Sequence, residues 1–561
     1  MKRQNSRPHP WMILSLLFVA TALPAGCNSS SKMSSDASYR LDRSEVAPGL
    51  TYLTTVPDHY TYLHPLQSRA PSPRTRGAGD RYERTYEPPF SRVMEQPLST
   101  FAVDVDTGSY SNVRRFLSDG KLPPPQAVRV EEMINYFAYE DAPPSGGEPF
   151  AVHVEVASCP WTPDHRLARI HLRACEVETA HRPPANLVFL LDVSGSMSPE
   201  DRLPLIKRAM RVLVSELRDD DRVAIVTYSG RSGVALPSTA VAHRESILRT
   251  IDDLRAGGNT NGGAGLQLAY EVAEYNFIHG GVNRIILATD GDFNVGMRSD
   301  YALFDLIERK TKSKVFFTVL GVGRGNLNEA MMEQLADRGN GVYAYIDSFH
   351  EARRVLGEQA TGTLQTIAKD VKIQVEFNPA TVEGYRLIGY ENRRLAAQDF
   401  NDDRKDAGDI GAGHSVTALY EIVPAGRPVP WGVDPLRYQR PTNEPPLVAS
   451  EHGERSGELM TVKLRYKQPD GVASRYLETA VRDSQLDWTR ASTDFRWATA
   501  VAAFGMTLRD SIARGDADFD LALELAGDAR GLDESGHRAE FIALVRSAER
   551  LNGRYASSNR R

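Results

Sequence analysis

Residues 192–197, Asp-Val-Ser-Gly-Ser-Met, place one carboxylate and two hydroxyl groups on a short stretch of chain. Gly195 permits a tight turn, so that the hydroxyls of Ser194 and Ser196 can face the same point as the carboxylate of Asp192. Such hard oxygen donors suit Mg²⁺ or Mn²⁺ better than zinc, and Ca²⁺ accepts them as well. The spacing is therefore typical of a divalent-metal site with Mg²⁺ as the first choice. Taken alone, so short a motif is equally typical of a turn that caps a helix.

The element that must position these donors is the run Leu187–Leu191, which is apolar throughout. A continuous apolar run of this length is typical of a strand that is buried on both faces. The donors follow its carboxyl end, where ligands bind in open α/β sheets. The motif resembles the metal-ion-dependent adhesion site of von Willebrand factor type A domains, whose signature is Asp-x-Ser-x-Ser. That resemblance implies two further ligands, Thr260 from the Gly-rich stretch 257–263 and Asp290 after the apolar stretch 285–289.

The resemblance also implies how the site works. Ser194, Ser196 and Thr260 would hold the metal directly, and Asp192 and Asp290 would support it, often through water. A partner protein would donate a Glu or Asp to an open coordination position. We therefore expect a binding protein and not an enzyme, since the motif contains no nucleophile or general base. A metal-assisted hydrolase and an envelope scaffold in which the metal only stabilises the fold are the alternatives.

Length and composition limit the number of domains, the class of protein and the kinds of partner. The chain has 561 residues, enough for two to four domains with separate cores. Its hydrophobic content of 41% and its charged content of 25% are ordinary for a soluble globular protein. The formal net charge of -6 argues against nucleic acid as a partner.

The N-terminus has the pattern of a secretory signal. Basic residues precede the apolar run from Trp11 to Leu23, which is too short for a lasting transmembrane helix. The end of this run resembles a bacterial lipoprotein signal, which implies that residues 1–26 are removed and that Cys27 is lipidated. An ordinary signal peptide cut near Ala25 is the alternative.

Residues 27–88 are rich in Ser, Pro, Arg and Tyr and show no sustained periodicity, so we expect a flexible tether. The predicted location is the cell envelope, with the lipid as the membrane attachment. Asn28 after Cys27 differs from the Asp linked with inner-membrane retention. By analogy, the outer membrane is favoured if the organism has one.

The tetrapeptide 106–109, Asp-Thr-Gly-Ser, has the sequence of an aspartic protease active site. Those enzymes need two carboxylates that share a proton, and the chain has no second tetrapeptide of this kind. The stretch also leads into a predicted helix over 109–117. We therefore interpret Asp106 or Ser109 as a helix cap, with protease activity at Asp106 as the competing hypothesis.

Two alternating runs, 152–156 and 167–172, predict an antiparallel hairpin. Cys159 and Cys175 follow the two strands, so a simple hairpin holds them at opposite ends, beyond the ~7 Å limit for a disulfide. We expect buried free thiols, although an oxidising compartment favours disulfides.

The predicted fold class is α/β, a doubly wound and mostly parallel sheet inserted in a β-rich domain, followed by a helical C-terminal region. Alternating strands stand on both sides of the type A segment, and we expect strand 371–377 to pair with 152–158 or 167–174. The segments before and after it resemble those that accompany type A domains in certain bacterial lipoproteins. The predicted boundaries are 1–26 signal peptide, 27–88 tether, 89–183 N-terminal segment with the hairpin, 184–356 type A domain, 357–482 β-rich domain and 483–561 helical region.

Overall fold

A parallel sheet with helices on both faces and a pair of antiparallel sheets packed face to face organise the protein. The computed structural model describes residues 80–558, without 83, 85, 146, 179, 181, 261, 292–299, 406, 431–456, 470 and 472. All of these lie in the unit Thr75–Arg561. The predicted signal peptide, Cys27 and most of the predicted tether lie outside the described residues. Within the described ranges, no helix has the length and apolar character that crossing a bilayer requires.

The strands, in chain order, are β1 (Ser91–Arg92), β2 (Leu98–Ala102), β3 (Phe150–Ser158), β4 (Arg166–Ala174), β5 (Ala185–Asp192), β6 (Arg222–Tyr228), β7 (Ser232–Ala240), β8 (Val282–Thr289), β9 (Phe316–Val322), β10 (Tyr343–Ile346), β11 (Thr366–Phe377), β12 (Val382–Ile388), β13 (Arg394–Leu395), β14 (Gly408–Gly411), β15 (Ser415–Pro424), β16 (Glu458–Lys467) and β17 (Ser474–Arg482).

The helices are α1 (Gly108–Ser118), α2 (Val130–Asn135), α3 (Leu203–Glu216), α4 (Arg244–Asp253), α5 (Gly262–Tyr275), α6 (Asp300–Thr311), α7 (Glu329–Arg338), α8 (Phe349–Arg353), α9 (Ala360–Leu364), α10 (Thr493–Leu508), α11 (Phe519–Asp528) and α12 (His537–Ser558). A π-helical turn, Arg354–Glu358, joins α8 to α9.

The parallel sheet has the strand order β10-β9-β8-β5-β6-β7, and only β7, at one edge, is antiparallel to its neighbour. Every residue of β5 and β8 is buried, because helices pack on both faces of these central strands. The chain leaves β5 towards β6 but leaves β8 towards β9, on the opposite side. The switch point of the sheet, where such folds bind ligands, therefore lies between the ends of β5 and β8.

The antiparallel sheets, β1-β12-β15-β4-β3 and β13-β2-β11-β16-β17, form a sandwich with a shared apolar core. Both sheets contain strands from before and from after the type A domain. For example, Ile170 of β4 is paired with Ala418 of β15, and Phe101 of β2 with Ile373 of β11. The type A domain is thus inserted into the sandwich.

The predicted pairing of strand 371–377 with the hairpin is wrong. This segment belongs to β11, which pairs with β2 and β16, and it faces the hairpin sheet across the core. An alternating pattern defines which side of a strand is buried. It does not reveal whether a second buried strand lies beside the first or across from it.

Helices α10, α11 and α12 form one core with α1 and α2 of the N-terminal segment. Helix α10 is apolar and buried around most of its circumference, and Trp497 is fully buried. Phe137 contacts the rings of Trp497 and Phe541 edge to face, with ring centroids 5.2 Å and 5.6 Å away. The N-terminal segment and the C-terminal helical region therefore share one apolar core.

The capping interpretation of the tetrapeptide is wrong. The residue that precedes α1 is Thr107, and its side chain makes no capping hydrogen bond. Asp106 Oδ1 instead accepts a hydrogen bond from the backbone N–H of Tyr343 at 2.9 Å. Ser109 Oγ donates to the carbonyl of Ala127 and accepts from a backbone N–H, both at 2.8 Å. Asp106 thus satisfies a buried backbone group of the type A domain, and Ser109 satisfies two within the N-terminal segment.

The hairpin β3–β4 leaves both cysteines as free thiols, as predicted. Cys159 is buried, whereas Cys175 is half-buried, so the expectation of burial is wrong for the second thiol. The strands run antiparallel from Phe150 opposite Ala174 to Ser158 opposite Arg166, which separates the two thiols by the length of the hairpin.

Buried carboxyl groups gather where the N-terminal segment packs on α7. We call them the buried acidic cluster; they are Asp104, Asp106, Glu131, Glu132, Glu329 and Glu333. Arg129 pairs with Glu333 at 2.7 Å, and Arg393 lies 3.2 Å from both Asp104 and Asp106. Among the described residues, these carboxyl groups outnumber the guanidinium groups that pair with them. Oxygens of Asp104, Asp106 and Glu333 lie within 4.8 Å of one another, but Arg393 already supplies the cation there, so we assign no metal.

Burial raises the pKa of Glu329 to about 8 and that of Glu333 to about 7. It also raises the pKa of Glu131 to about 7, with Glu391 adding to the rise. Since water is excluded and cations are few, the cluster keeps some of its protons at neutral pH.

Candidate metal centre

The first part of the centre is the loop that follows β5. Asp192 is the last residue of this central strand and is fully buried. Its Oδ1 accepts a hydrogen bond from the backbone N–H of Ser194 at 2.8 Å, which folds the loop back over the strand end. The hydroxyl oxygens of Ser194 and Ser196 lie 3.0 Å apart. The turn through Gly195 thus brings the two hydroxyls together, as the sequence predicts.

The Gly-rich stretch lies directly against this loop. The backbone N–H of Gly195 donates to the carbonyl of Gly258 at 3.0 Å, and that of Gly257 donates to the carbonyl of Val193 at 2.7 Å. Gly258 has a φ of +84°, which favours glycine at this close approach. Thr260 follows two residues later, half-buried, at the same end of the sheet.

The third part is Asp290, which follows β8 and is fully buried. Between Asp192 and Asp290 lies Thr289, whose hydroxyl donates to Asp192 Oδ2 at 3.4 Å and accepts from the N–H of Gly291 at 3.2 Å. The ends of β5 and β8 are neighbours in the sheet, so the structure brings both carboxylates to the switch point.

A functional residue that the sequence pattern does not reveal is Arg202, which immediately precedes α3. Its Nη1 donates to Asp290 Oδ2 at 2.5 Å and to the carbonyl of Ser196 at 2.7 Å. Its Nη2 donates to the carbonyl of Arg324 at 2.8 Å and to Asn326 Oδ1 at 3.0 Å. The side chain therefore joins three loops around the centre. No motif distinguishes this arginine from the others in the sequence, because its partners are distant along the chain.

The two carboxylates differ in their electrostatic surroundings. Asp290 is neutralised by Arg202, whereas Asp192 has no cationic partner among the described residues. Burial raises the pKa of Asp192 to about 6; the charge of Asp290 adds to the rise, and hydrogen bonds from Ser194 oppose it. A buried carboxylate beside two hydroxyls, with its charge uncompensated, is a donor set that fits a hard divalent cation.

The family comparisons agree with the fold. The model of the von Willebrand factor type A domain matches residues 186–358, and a model described as von Willebrand factor matches 76–169. The model of the C-terminal part of the uncharacterized protein YfbK matches 362–551. The predicted type A domain is therefore confirmed, and so is its combination with the two flanking segments.

Several known proteins are similar to this chain. The protein YfbK of Escherichia coli (strain K12) is 45% identical over 476 residues, which are 84% of this chain and 81% of that protein. The protein sll0103 of Synechocystis is 29% identical over 187 residues, 33% of this chain and 43% of that protein. The solved structure of a von Willebrand factor type A protein from Catenulispora acidiphila is 16% identical and covers 72% of this chain and 91% of its own, with a TM-score of 0.39. The chain belongs to the family of YfbK, in which a von Willebrand factor type A domain is combined with the YfbK C-terminal domain.

Proposed function

We propose that this protein binds another protein through a divalent cation that is held at the end of the type A sheet. Mg²⁺ is the first choice for this cation. The observation that carries the proposal is the convergence of Asp192, Ser194, Ser196 and Asp290 at the switch point. The Gly-rich loop with Thr260 completes the donor set. A bound cation would supply a strong electrostatic contact for a carboxylate of the partner.

The residues of the proposed site have different roles. The hydroxyls of Ser194, Ser196 and Thr260 would contact the cation directly, and Asp192 would supply the uncompensated charge. Arg202 neutralises Asp290, so the site carries few free negative charges. Such a site keeps a cation attractive to an incoming Asp or Glu of the partner. The motif holds no nucleophile or general base, and this favours binding over catalysis.

We further propose that the protein acts in the cell envelope, anchored through a lipid on Cys27. The support is the basic and apolar N-terminal pattern that ends in this cysteine. The lipid would be its membrane attachment, and the outer membrane is the favoured location where one exists.

The test compares metal binding and partner capture in matched variants. Asp192→Ala, Ser194→Ala and Thr260→Ala each remove one donor, whereas Asp219→Ala removes an exposed carboxylate elsewhere in the same domain. Mg²⁺ titration calorimetry and pull-down from an envelope extract are run with Mg²⁺ and with EDTA. We expect the three site variants to stay folded, lose Mg²⁺ binding, and capture the partner no better than wild type in EDTA.

The Asp219→Ala control should behave as wild type. If Asp192→Ala stays folded and captures the same partner as wild type, the adhesion-site assignment is wrong. If the site variants lose stability but no partner is captured in a metal-dependent way, the result would instead favour a scaffold in which the metal only stabilises the fold.

A further inference from the structure

A cavity lies away from the metal centre, where several separate segments of the chain meet. We call it the junction cavity. Its volume is about 460 Å³, within the range of small-molecule sites, and such sites are often found where domains join. Its walls come from the N-terminal segment (Thr107 and Tyr136), the end of the type A domain (Arg354), the sandwich (Arg173 and His414) and the helical region (His537).

Four of these wall residues carry a buried nitrogen that has no hydrogen-bond partner among the described residues. The atoms are Arg173 Nε, Arg354 Nη1, His414 Nδ1 and His537 Nε2. Buried polar groups are nearly always paired, and each one left unpaired costs about 1–3 kcal/mol. Four unpaired nitrogens from four separate stretches of chain, all on residues of one cavity, point to a missing acceptor.

Arg354 is the most firmly held of the four. It is 3% exposed, and its Nε and Nη2 donate to Glu351 at 3.0 Å and 2.6 Å. Nη2 also donates to Thr107 Oγ1 at 2.7 Å, and the guanidinium lies 4.0 Å from the ring centroid of Tyr136. The group is thus fixed in its plane, and its Nη1 has no hydrogen-bond partner among the described residues.

The acidic groups near the cavity each lie beside an arginine. Glu351 also accepts from Arg114 at 2.8 Å, Glu176 accepts from Arg173 at 2.8 Å, and the exposed Glu358 lies 4.0 Å from Arg353. Burial, together with the charges of Arg284 and Arg354, lowers the pKa of His414 to about 4. The surroundings therefore disfavour an additional cation and leave nitrogen donors without an acceptor.

We propose that the junction cavity binds a small anionic molecule through an oxyanion group, either a phosphate or a carboxylate. Arg354 is the anchoring donor, and His414 and His537 donate from the other walls. An oxyanion accepts several such bonds at once, and bonds between charged partners are the strong ones. The ligand would hold the N-terminal segment, the type A domain, the sandwich and the helices together. This site is independent of the metal centre.

The experiment titrates the full chain with inorganic phosphate and with citrate by calorimetry, after EDTA has removed bound metal and dialysis has removed the EDTA, which is itself a polycarboxylate. His537→Asn keeps a polar group near the position of Nδ1 but removes Nε2, and Arg354→Lys keeps the charge beside Glu351 but removes Nη1. His243→Asn changes an exposed histidine outside the cavity and is the matched control. Circular dichroism establishes that each variant is folded.

We expect at least one anion to bind once per chain. Binding should be about tenfold weaker in each cavity variant and unchanged in the control, since one charged hydrogen bond is lost. Tighter phosphate binding indicates a phosphorylated ligand, and tighter citrate binding indicates a carboxylic acid. If neither anion binds, or if His537→Asn binds both as wild type does, the proposal is overturned. If Arg354→Lys does not fold, the result with His537→Asn is sufficient to decide.

Discussion

Replacing Arg202 by Met tests whether this side chain is the internal counter-ion of the metal centre. The arginine is 13% exposed, and Asp290 is fully buried, so the variant leaves a buried carboxylate without its cation. Removing one partner of a buried ion pair costs about 3–5 kcal/mol, and we expect the lower end here because Arg202 is partly exposed. The variant also loses the hydrogen bonds to the carbonyl of Arg324 and to Asn326.

The loss should depend on the metal. In EDTA, Asp290 is unpaired in the Arg202→Met variant, so the free energy of unfolding should fall by about 3 kcal/mol relative to wild type. With saturating Mg²⁺, the cation supplies the missing positive charge, and part of that stability should return through linkage. Wild type should gain less from Mg²⁺, because Arg202 already neutralises Asp290.

The measurement is urea unfolding of both proteins with Mg²⁺ and with EDTA. Arg208→Met changes an exposed arginine of α3, the helix that follows Arg202; it is the control and should change stability by less than about 0.5 kcal/mol. An equal loss of stability in Mg²⁺ and EDTA would refute the assignment of Arg202 as a counter-ion for the cation site. A variant as stable as wild type in EDTA would refute the ion-pair argument itself.

Three further predictions concern the rest of the chain. Burial raises the pKa of Glu329 to about 8 and of Glu333 to about 7, so each group binds its proton more tightly in the folded state, and the stability that it contributes should fall as the pH rises from 4.5 to its folded pKa. Because His414, with its lowered pKa, acts in the opposite direction, urea unfolding compares wild type with Glu329→Gln: the stability of wild type relative to the variant should fall by about 5 kcal/mol between pH 4.5 and pH 8, and a difference that does not change with pH would contradict the reasoning. Gly341→Ala would drive its Cβ into the carbonyl oxygen of Phe317, so we expect a variant too unstable to purify folded, and a melting temperature equal to that of wild type would count against so close an approach of the two chain segments. Cys27→Ser should release the protein from membranes or stall its processing, and unchanged fractionation would argue against lipidation.

The local sequence was sufficient to predict a feature wherever a single strand or loop determines it. The apolar runs of β5 and β8 require burial on both faces, and this places the residues after them at the carboxyl end of a parallel sheet. The same reasoning brings Asp192 and Asp290 near each other, since neighbouring parallel strands end at the same edge. The turn through Gly195 is local as well, so the approach of the two serine hydroxyls follows from spacing alone.

Tertiary structure decided every feature that depends on a partner distant in the chain. The alternating pattern of β11 indicates a half-buried strand. The packing of the sandwich, however, determines that β2 and β16 lie beside it. Arg202 contacts Asp290, and the four residues with an unpaired nitrogen line one cavity, because elements far apart in sequence pack together. Periodicity encodes which face of an element is buried, whereas the group that it meets there depends on how the whole chain packs.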